Sequence, residues 1–470
     1  MTLNRRHVLA LTSASLLAAL SRPVLAADQT AELQAAIEQA QNGAGVVILQ
    51  AGTYAVTTLT ITTTVRIQGV PGKTILTSLT GAPIFNVTDA AEVSFFGLVF
   101  DSKSLVPEGE AGGAGGTSDK NAKFQLYAKQ CSDILIENCI FQNAATSALG
   151  LDACTGRVIG NRIHHIAQAA ILAGRFYGQY QSLADGDKAP PSRGLEISSN
   201  HVHDIGNNGI MLKHFTDTSE EDGSIISNNH VERVHSGSGN GQHGNGIYVL
   251  GADNVIISGN RITDTDFSGI RDTSSKHIQI VNNSISRSSE VSLFVEFAFE
   301  SALVNANIIE DAFRGIELSG GDGIVGFNGV CSNNIVRNVT RATVNPDGGK
   351  FIGINITANN TIAIGNLVEN VGSNDRGGGI GLLIQDWRKS HSHSAQGNMI
   401  KNVPYGIGIV LGDGGGGLAS AVSVSNNTIA TVGKTYVQLF DPKLNPVGGD
   451  QTENNTLPNL LTLSNNTKLN

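Results

Sequence analysis

Tyr248, Arg271, Phe294 and Glu317 follow one another at intervals of 23 residues, and Asp272 comes directly after Arg271. Lys213, Thr273 and Glu296 occupy a second position of the same kind, and His243 stands just ahead of Tyr248. A cation beside a phenol or imidazole is what proton abstraction from a uronic acid requires. The cation (Arg271 or Lys213) neutralises the substrate carboxylate and acidifies the α-proton. A base (Tyr248 or His243) removes that proton, and a second group protonates the leaving oxygen or the opposite face of the ring. Glu296 and Glu317 offer a competing chemistry, inverting hydrolysis between two carboxyl groups.

Such residues act together only if the chain returns to the same place every coil. The triplet Asn-x-aliphatic recurs as Asn138-Cys139-Ile140, Asn161-Arg162-Ile163, Asn200-His201-Val202, Asn229-His230-Val231 and Asn260-Arg261-Ile262, and continues to Asn427-Thr428-Ile429. Asn260 and Asn283 are 23 residues apart. Each Asn follows a short alternating run such as VIISGN or IQIVNN, and most are followed by Gly-Ile, as at Gly209, Gly246, Gly269 and Gly315. Units of this length with several short strands and no helical period form a parallel β-solenoid, each unit one coil. The recurring Asn then bonds the same amide one coil up and down and holds a tight turn.

Strand alternation sorts the Gly-Ile segments into faces. One outward column reads Met211, Tyr248, Arg271, Phe294, Glu317, Asn355, and the second reads Lys213, Leu250, Thr273, Glu296, Ser319, Thr357. Glu296 and Glu317 are one coil and two residues apart, about 8 Å, within the inverting range. The inward column reads Leu212, Val249, Asp272, Val295, Leu318, Ile356. Asp272 is its one charged member and must be paired, protonated or at a strand end. Insertions flank these strands, and Tyr177, Tyr180 and Trp387 within them offer rings for stacking on sugars. On the Asn-x-Ile strands, His201, His203, His230 and Glu232 have donors that zinc or copper accepts. Stacked polar ladders are commoner, so the expectation is no metal and no cofactor. No acidic cluster has calcium-loop spacing.

The ends differ from the repeat. Arg5 and Arg6 precede a moderately apolar stretch from Val8 to Leu20, with small residues at Val24 and Ala26. This is the pattern of a twin-arginine export signal over 1–26, too short to span a bilayer. Losing Arg5, Arg6 and Arg22 takes the formal charge from −9 to −12. A chain that acidic is a poor non-specific ligand for nucleic acid. The expectation is a periplasmic or secreted protein with no membrane contact after cleavage and a polysaccharide or oligosaccharide partner. The four cysteines are too few for a disulfide scaffold and read as buried free thiols. Residues 27–43 hold an amphipathic helix with Leu33, Ile37 and Ala40 on one face, a cap for the open end of the solenoid. The solenoid is expected over 44–440, and 441–470 is expected to cover the other end.

Capping helix, GTYAV, VRIQGVPGKTIL and the Asn-x-Ile and Gly-Ile coils together resemble the right-handed parallel β-helix superfamily of pectate lyases, polygalacturonases and alginate epimerases. With its twin arginines the chain is also similar to a family of twin-arginine-translocated repeat proteins. The resemblance implies an all-β right-handed parallel β-helix and carbohydrate chemistry. It departs from the polygalacturonase pattern at Asn245-Gly246 and Ser268-Gly269, where that family has paired Asp. The Asp-Pro-His-Asp motif of the epimerases is absent. Three readings stand: a lyase or epimerase of acidic glycans, an inverting hydrolase, or a non-catalytic carbohydrate-binding or surface-structural solenoid.

Overall fold

Alternation with a period of two puts one set of side chains inside and the other outside, and short runs of it become the strands of each coil. The computed structural model describes residues 27–43, 45–105, 124–174, 192–214, 222–237, 243–320, 326–341, 349–372, 378–386, 392–411, 422–441, 443–451 and 461–469. A typical coil consists of Ile256–Ser258, Arg261–Thr265 and Ile270–Thr273. Each pairs in parallel with its counterpart one coil on, Gln279–Val281, Ser284–Ser288 and Val291–Glu296. The first strands of all coils form a 15-stranded sheet, and the second and third strands join in a sheet of 28. They fuse where two 13-residue strands, Met399–Leu411 and Thr428–Phe440, run continuously round the corner. The chain is an all-β parallel β-helix.

Columns of aliphatic side chains fill the interior. Ile197, Ile226, Ile257 and Ile280 stack on the first face, and Val202, Val231, Ile262 and Ile285 on the second, all essentially inaccessible. Each such side chain contributes about 1.5–3 kcal/mol. The helix Thr30–Gln41 covers the first coil with Leu33, Ile37 and Ala40. Its Gln34 side chain pairs the exposed strand edge, Nε2 donating to the Thr60 carbonyl (3.1 Å) and Oε1 accepting from the Thr60 amide (2.8 Å). No helix among the described residues is long and apolar enough to cross a membrane.

The solenoid does not stop at residue 440. Leu461–Ser464 and Thr467–Leu469 pair in parallel with the preceding coil, and Asn466 takes the next place in the Asn column. Sequence pattern misses this coil because Lys468, exposed at the end of the stack, stands where earlier coils have an inward aliphatic residue. Residues 1–26, Tyr177, Tyr180 and Trp387 lie outside the described residues.

The Asn column is a continuous buried ladder. Between Asn161 and Asn466, each Asn donates both its backbone N–H and its Nδ2 to the Oδ1 of the Asn one coil on, as between Asn260 and Asn283 (3.0 Å each). Asn260 Nδ2 also donates to the Ile226 carbonyl of the preceding coil (2.9 Å). Asn138 is not a member. Cys139 occupies its rung, its amide donating to Asn161 Oδ1, and Asn138 is the left-handed residue before it. That conformation precedes each later rung too, at Gly160, Ser199, Asn228, Gly259, Asn282, Ala306, Asn333, Gly365, Gly397, Asn426 and Asn465, with φ from 53° to 67°. Gly and Asn tolerate it best, which accounts for the repeated Gly-Asn and Asn-Asn dipeptides. The glycine of Gly-Ile has a different cause: a Cβ at Gly246 would lie 2.6 Å from the Gly269 carbonyl oxygen of the next coil.

Asp272 breaks the interior. It is fully inaccessible between Val249 and Val295, and neither carboxylate oxygen has a hydrogen-bond partner. Burial pushes its pKa up to about 8, with Glu296 and Asp253 adding to the shift and Ser275 opposing it. Of the three ways to accommodate it, the raised pKa favours protonation.

Two outcomes follow from these buried groups. Asn229→Ala, Asn260→Ala and Asn283→Ala should each cost roughly 1–3 kcal/mol through unsatisfied turn groups. Denaturation midpoints check this, and three unchanged midpoints would remove the ladder's energetic role. For Asp272, folded and unfolded chains both hold the proton below about pH 4. Between there and about pH 8 only the folded chain keeps it, so its contribution to stability is lost as pH rises and levels off above 8. Asp272→Asn should therefore gain stability over wild type as pH rises from 4 to 8, by up to several kcal/mol. A pH-independent difference between the two would contradict a neutral carboxyl.

Candidate functional site

The third face carries the outward columns in the register that alternation predicts. Met211, Tyr248, Arg271, Phe294, Glu317 and Asn355 are successive partners, and Leu250, Thr273, Glu296 and Ser319 run beside them. The Arg271 guanidinium lies between two rings, its Cζ 6.0 Å from the Tyr248 centroid and 5.2 Å from that of Phe294. Its Nε and Nη2 both reach Glu296 Oε1, at 2.8 and 2.7 Å. The same oxygen accepts from Thr273 Oγ1 at 2.8 Å, and Thr273 Oγ1 lies 3.4 Å from the Tyr248 hydroxyl. On the other side Arg271 Nη1 lies 3.7 Å from Glu290 Oε2, which accepts from Ser268 Oγ at 3.1 Å. Tyr248, Thr273, Arg271, Glu296, Glu290 and Ser268 thus form one connected group.

Charges in this group are largely withdrawn from water. The side chains of Arg271 and Glu296 are 11% and 6% exposed. Burial pulls the Arg271 pKa down, but the charges of Glu296 and Glu290 more than offset it, and the guanidinium is held in its cationic form. Burial raises the Tyr248 phenol, with Thr273 and Arg271 acting against it, so the group holds its proton at neutral pH. Burial also raises Glu290, against the pull of Arg271 and Ser268. One cation, one firmly protonated phenol and carboxyls in unlike surroundings are the components of proton transfer next to a negative substrate group.

The register has Tyr248 and Arg271 in the first outward column and Glu296 in the second, as alternation expects, but the sequence paired Glu296 with Glu317 and not with Arg271. Glu317 is one coil beyond Arg271's neighbour Phe294 and is held by Arg314, Nη1 to Oε2 at 3.3 Å. Glu296 faces Ser319 while Glu317 faces Phe294, the offset of one coil and two residues expected for the pair. Lys213 is buried two coils from Thr273, with Leu250 between them. His243 is half-buried at the entrance to the strand Ile247–Leu250. Asp272 lies on the opposite side of its strand, in the interior. Glu296, and not Asp272, holds the Arg271 fork, because the second outward column delivers a carboxylate from the next coil. Glu290 escaped the sequence reading, since it lies in the bend before Val291–Glu296, where alternation assigns no face.

No protein with a curated description matches the sequence. Solved structures do match. The A-module of the Azotobacter vinelandii mannuronan C-5 epimerase AlgE6 is 16% identical with a TM-score of 0.55, over 88% of this chain and 97% of that one. The catalytic unit of a GH87 α-1,3-glucanase from Streptomyces thermodiastaticus is 15% identical with a TM-score of 0.54, over 79% and 63%. PfbA, a surface adhesin of Streptococcus pneumoniae, is 13% identical with a TM-score of 0.50, over 95% and 97%. At such identities the likeness is one of fold. The family model described as "Right handed beta helix region" matches residues 215–457, more than half of the sequence. With the parallel coils seen throughout the described residues, the chain belongs to the right-handed β-helix family.

Proposed function

We propose that the Tyr248–Arg271–Glu296 face binds an acidic glycan and acts on it as a polysaccharide lyase or C-5 epimerase, outside the cytoplasm. The observation that carries this reading is the buried Arg271 cation with a protonated phenol one coil before it and a carboxylate one coil after it. Arg271 neutralises the uronate carboxylate and so acidifies the proton on the adjacent carbon. Glu296 takes that proton. In elimination the electron pair forms the new double bond, the glycosidic C–O bond breaks, and Tyr248 gives its proton to the leaving oxygen. In epimerisation Tyr248 gives the proton back to the opposite face of the same carbon. The similarity in fold to a mannuronan epimerase supports the substrate class only at the level of carbohydrate. Glu290 favours a second reading, inverting hydrolysis: its raised pKa suits a general acid, and Glu317 is a carboxyl one coil further along the same face.

The full chain incubated with uronate and neutral polysaccharides separates these readings. Absorbance of an unsaturated product marks a lyase, and deuterium entering C-5 from D2O without chain cleavage marks an epimerase. New reducing ends without absorbance mark a hydrolase. Tyr248→Phe and Glu296→Gln should each lower turnover by at least a hundredfold. Arg271→Lys keeps the charge but loses the two-point hold on Glu296, and should weaken binding or turnover of an acidic ligand tenfold or more, about 1.4 kcal/mol. Equal activity of Arg271→Lys and wild type on an acidic glycan would move the site elsewhere, and binding without turnover would leave a carbohydrate-binding solenoid.

A further inference from the structure

The second face carries a different group. His201 and His230 are register partners on successive coils, with parallel rings 4.8 Å apart. Glu232 sits two residues beyond His230 on the same face, its Oε1 3.1 Å from His201 Nε2 and its Oε2 4.0 Å from His230 Nε2. One ligand atom from each of the three lies within 4.8 Å of the other two. The side chains are 41%, 42% and 19% exposed, so the imidazoles open to solvent and the carboxylate is set deeper.

Glu232 is not left to swing. Arg233 Nη1 holds its Oε2 at 2.8 Å, while Arg233 Nε reaches Asp204 Oδ1 at 2.7 Å. Asp204 Oδ2 in turn lies 2.7 Å from His203 Nδ1, and His203 Nε2 accepts from Arg162 Nε at 3.2 Å. An imidazole accepting at Nε2 carries its proton at Nδ1, so His203 is neutral and donates to Asp204. Asp204 and Arg233 both have left-handed backbones (φ 58° and 53°) at the bend that ends their strands. The chain Arg162–His203–Asp204–Arg233 therefore fixes the orientation of one carboxylate beside two imidazoles, as outer partners do around metal ligands.

We propose that His201, His230 and Glu232 bind a borderline divalent cation of the zinc type. Two imidazole nitrogens and a carboxylate oxygen suit zinc, whereas magnesium and calcium prefer oxygen alone. Metal–ligand bonds of about 2.0–2.1 Å in a tetrahedron put ligand atoms about 3.3 Å apart. The His201 Nε2–Glu232 Oε1 pair already has that spacing, and since the three ligand atoms lie within 4.8 Å of one another the other pairs need approach by at most about 1.5 Å. Arg162 and Arg261, register neighbours of His201 and His230, oppose a dication. Asp204 and Glu232 compensate on the same surface, with Arg233 shared between them. The ligands come from two coils, so a bound ion ties one coil to the next.

The metal-stripped full chain, titrated with zinc chloride by calorimetry at neutral pH, should take up one equivalent in the micromolar range and melt at a higher temperature. Magnesium chloride should do neither. His230→Ala and Glu232→Gln should each weaken zinc binding at least thirtyfold with unchanged circular dichroism. Asp204→Asn, which touches no ligand, should weaken it about tenfold, an effect that adventitious binding to surface histidines would not show. Cobalt bound in place of zinc should give a visible absorption band that His230→Ala removes. Absence of saturable zinc binding overturns the proposal. So does zinc binding that survives both ligand substitutions, which would assign it to other histidines such as those at 391 and 393.

Discussion

Every coil depends on the hydrogen bonds its turn makes to the turn of the next coil. One Asn per coil, buried to 1% exposure or less from Asn200 to Asn427, receives two N–H groups on its Oδ1 and gives its own amide to the coils on both sides. Few side chains can replace it. Asp lacks the donor, Gln is longer by a methylene, and Ala leaves three polar groups unmatched where water cannot reach. At Cys139 the ladder ends, because a thiol accepts too weakly to continue it. Cys139 is pushed up to about 12 by burial and stays a neutral thiol. Rigid registration at this corner sets the register of all three strands in a coil, and so decides which outward side chains become neighbours.

That dependence explains what could be read from the sequence. The Asn and Gly-Ile signatures gave the fold and the columns of the third face, since a period of two leaves no freedom once register is fixed. Asn138 was misplaced by one residue because the left-handed position before each rung favours Asn as strongly as the rung itself does. A second amide ladder, Asn208 to Asn245 to the Ser268 amide, was read only as a departure from a family's Asp pair. Its function is structural: it holds the bend that delivers Tyr248 and Arg271. The final coil went unread because end coils need no aliphatic residue facing in.

The candidate site was legible where it lies on strands and illegible where it lies in bends. Tyr248, Arg271 and Glu296 follow from alternation, while Glu290 and Ser268 enter from turns that alternation does not order. Asp272 was conspicuous from sequence alone as an inward residue back to back with the outward Arg271, but only the structure shows that Glu296 holds Arg271 in its place. A neutral acid inside and a cation outside share one strand, and Glu296 raises the one while holding the other.

Stacking at one coil per step would bring like charges face to face, and the chain meets this problem in the same way on two faces. Arg271 has rings as both direct neighbours, Tyr248 and Phe294, and His201 has the ring of His230 on one side and Arg162 on the other. The carboxylate partner of each comes from one coil on and two residues along, Glu296 for Arg271 and Glu232 for His201. Rings tolerate the close strand spacing, and long side chains lean across the diagonal of about 8 Å. This arrangement gathers a cation or imidazole, a ring and a carboxylate on neighbouring coils without burying an unmatched charge. A β-helix can therefore present reactive groups on a flat sheet surface, with no loop needed to hold them, wherever its sequence places a carboxylate on that diagonal.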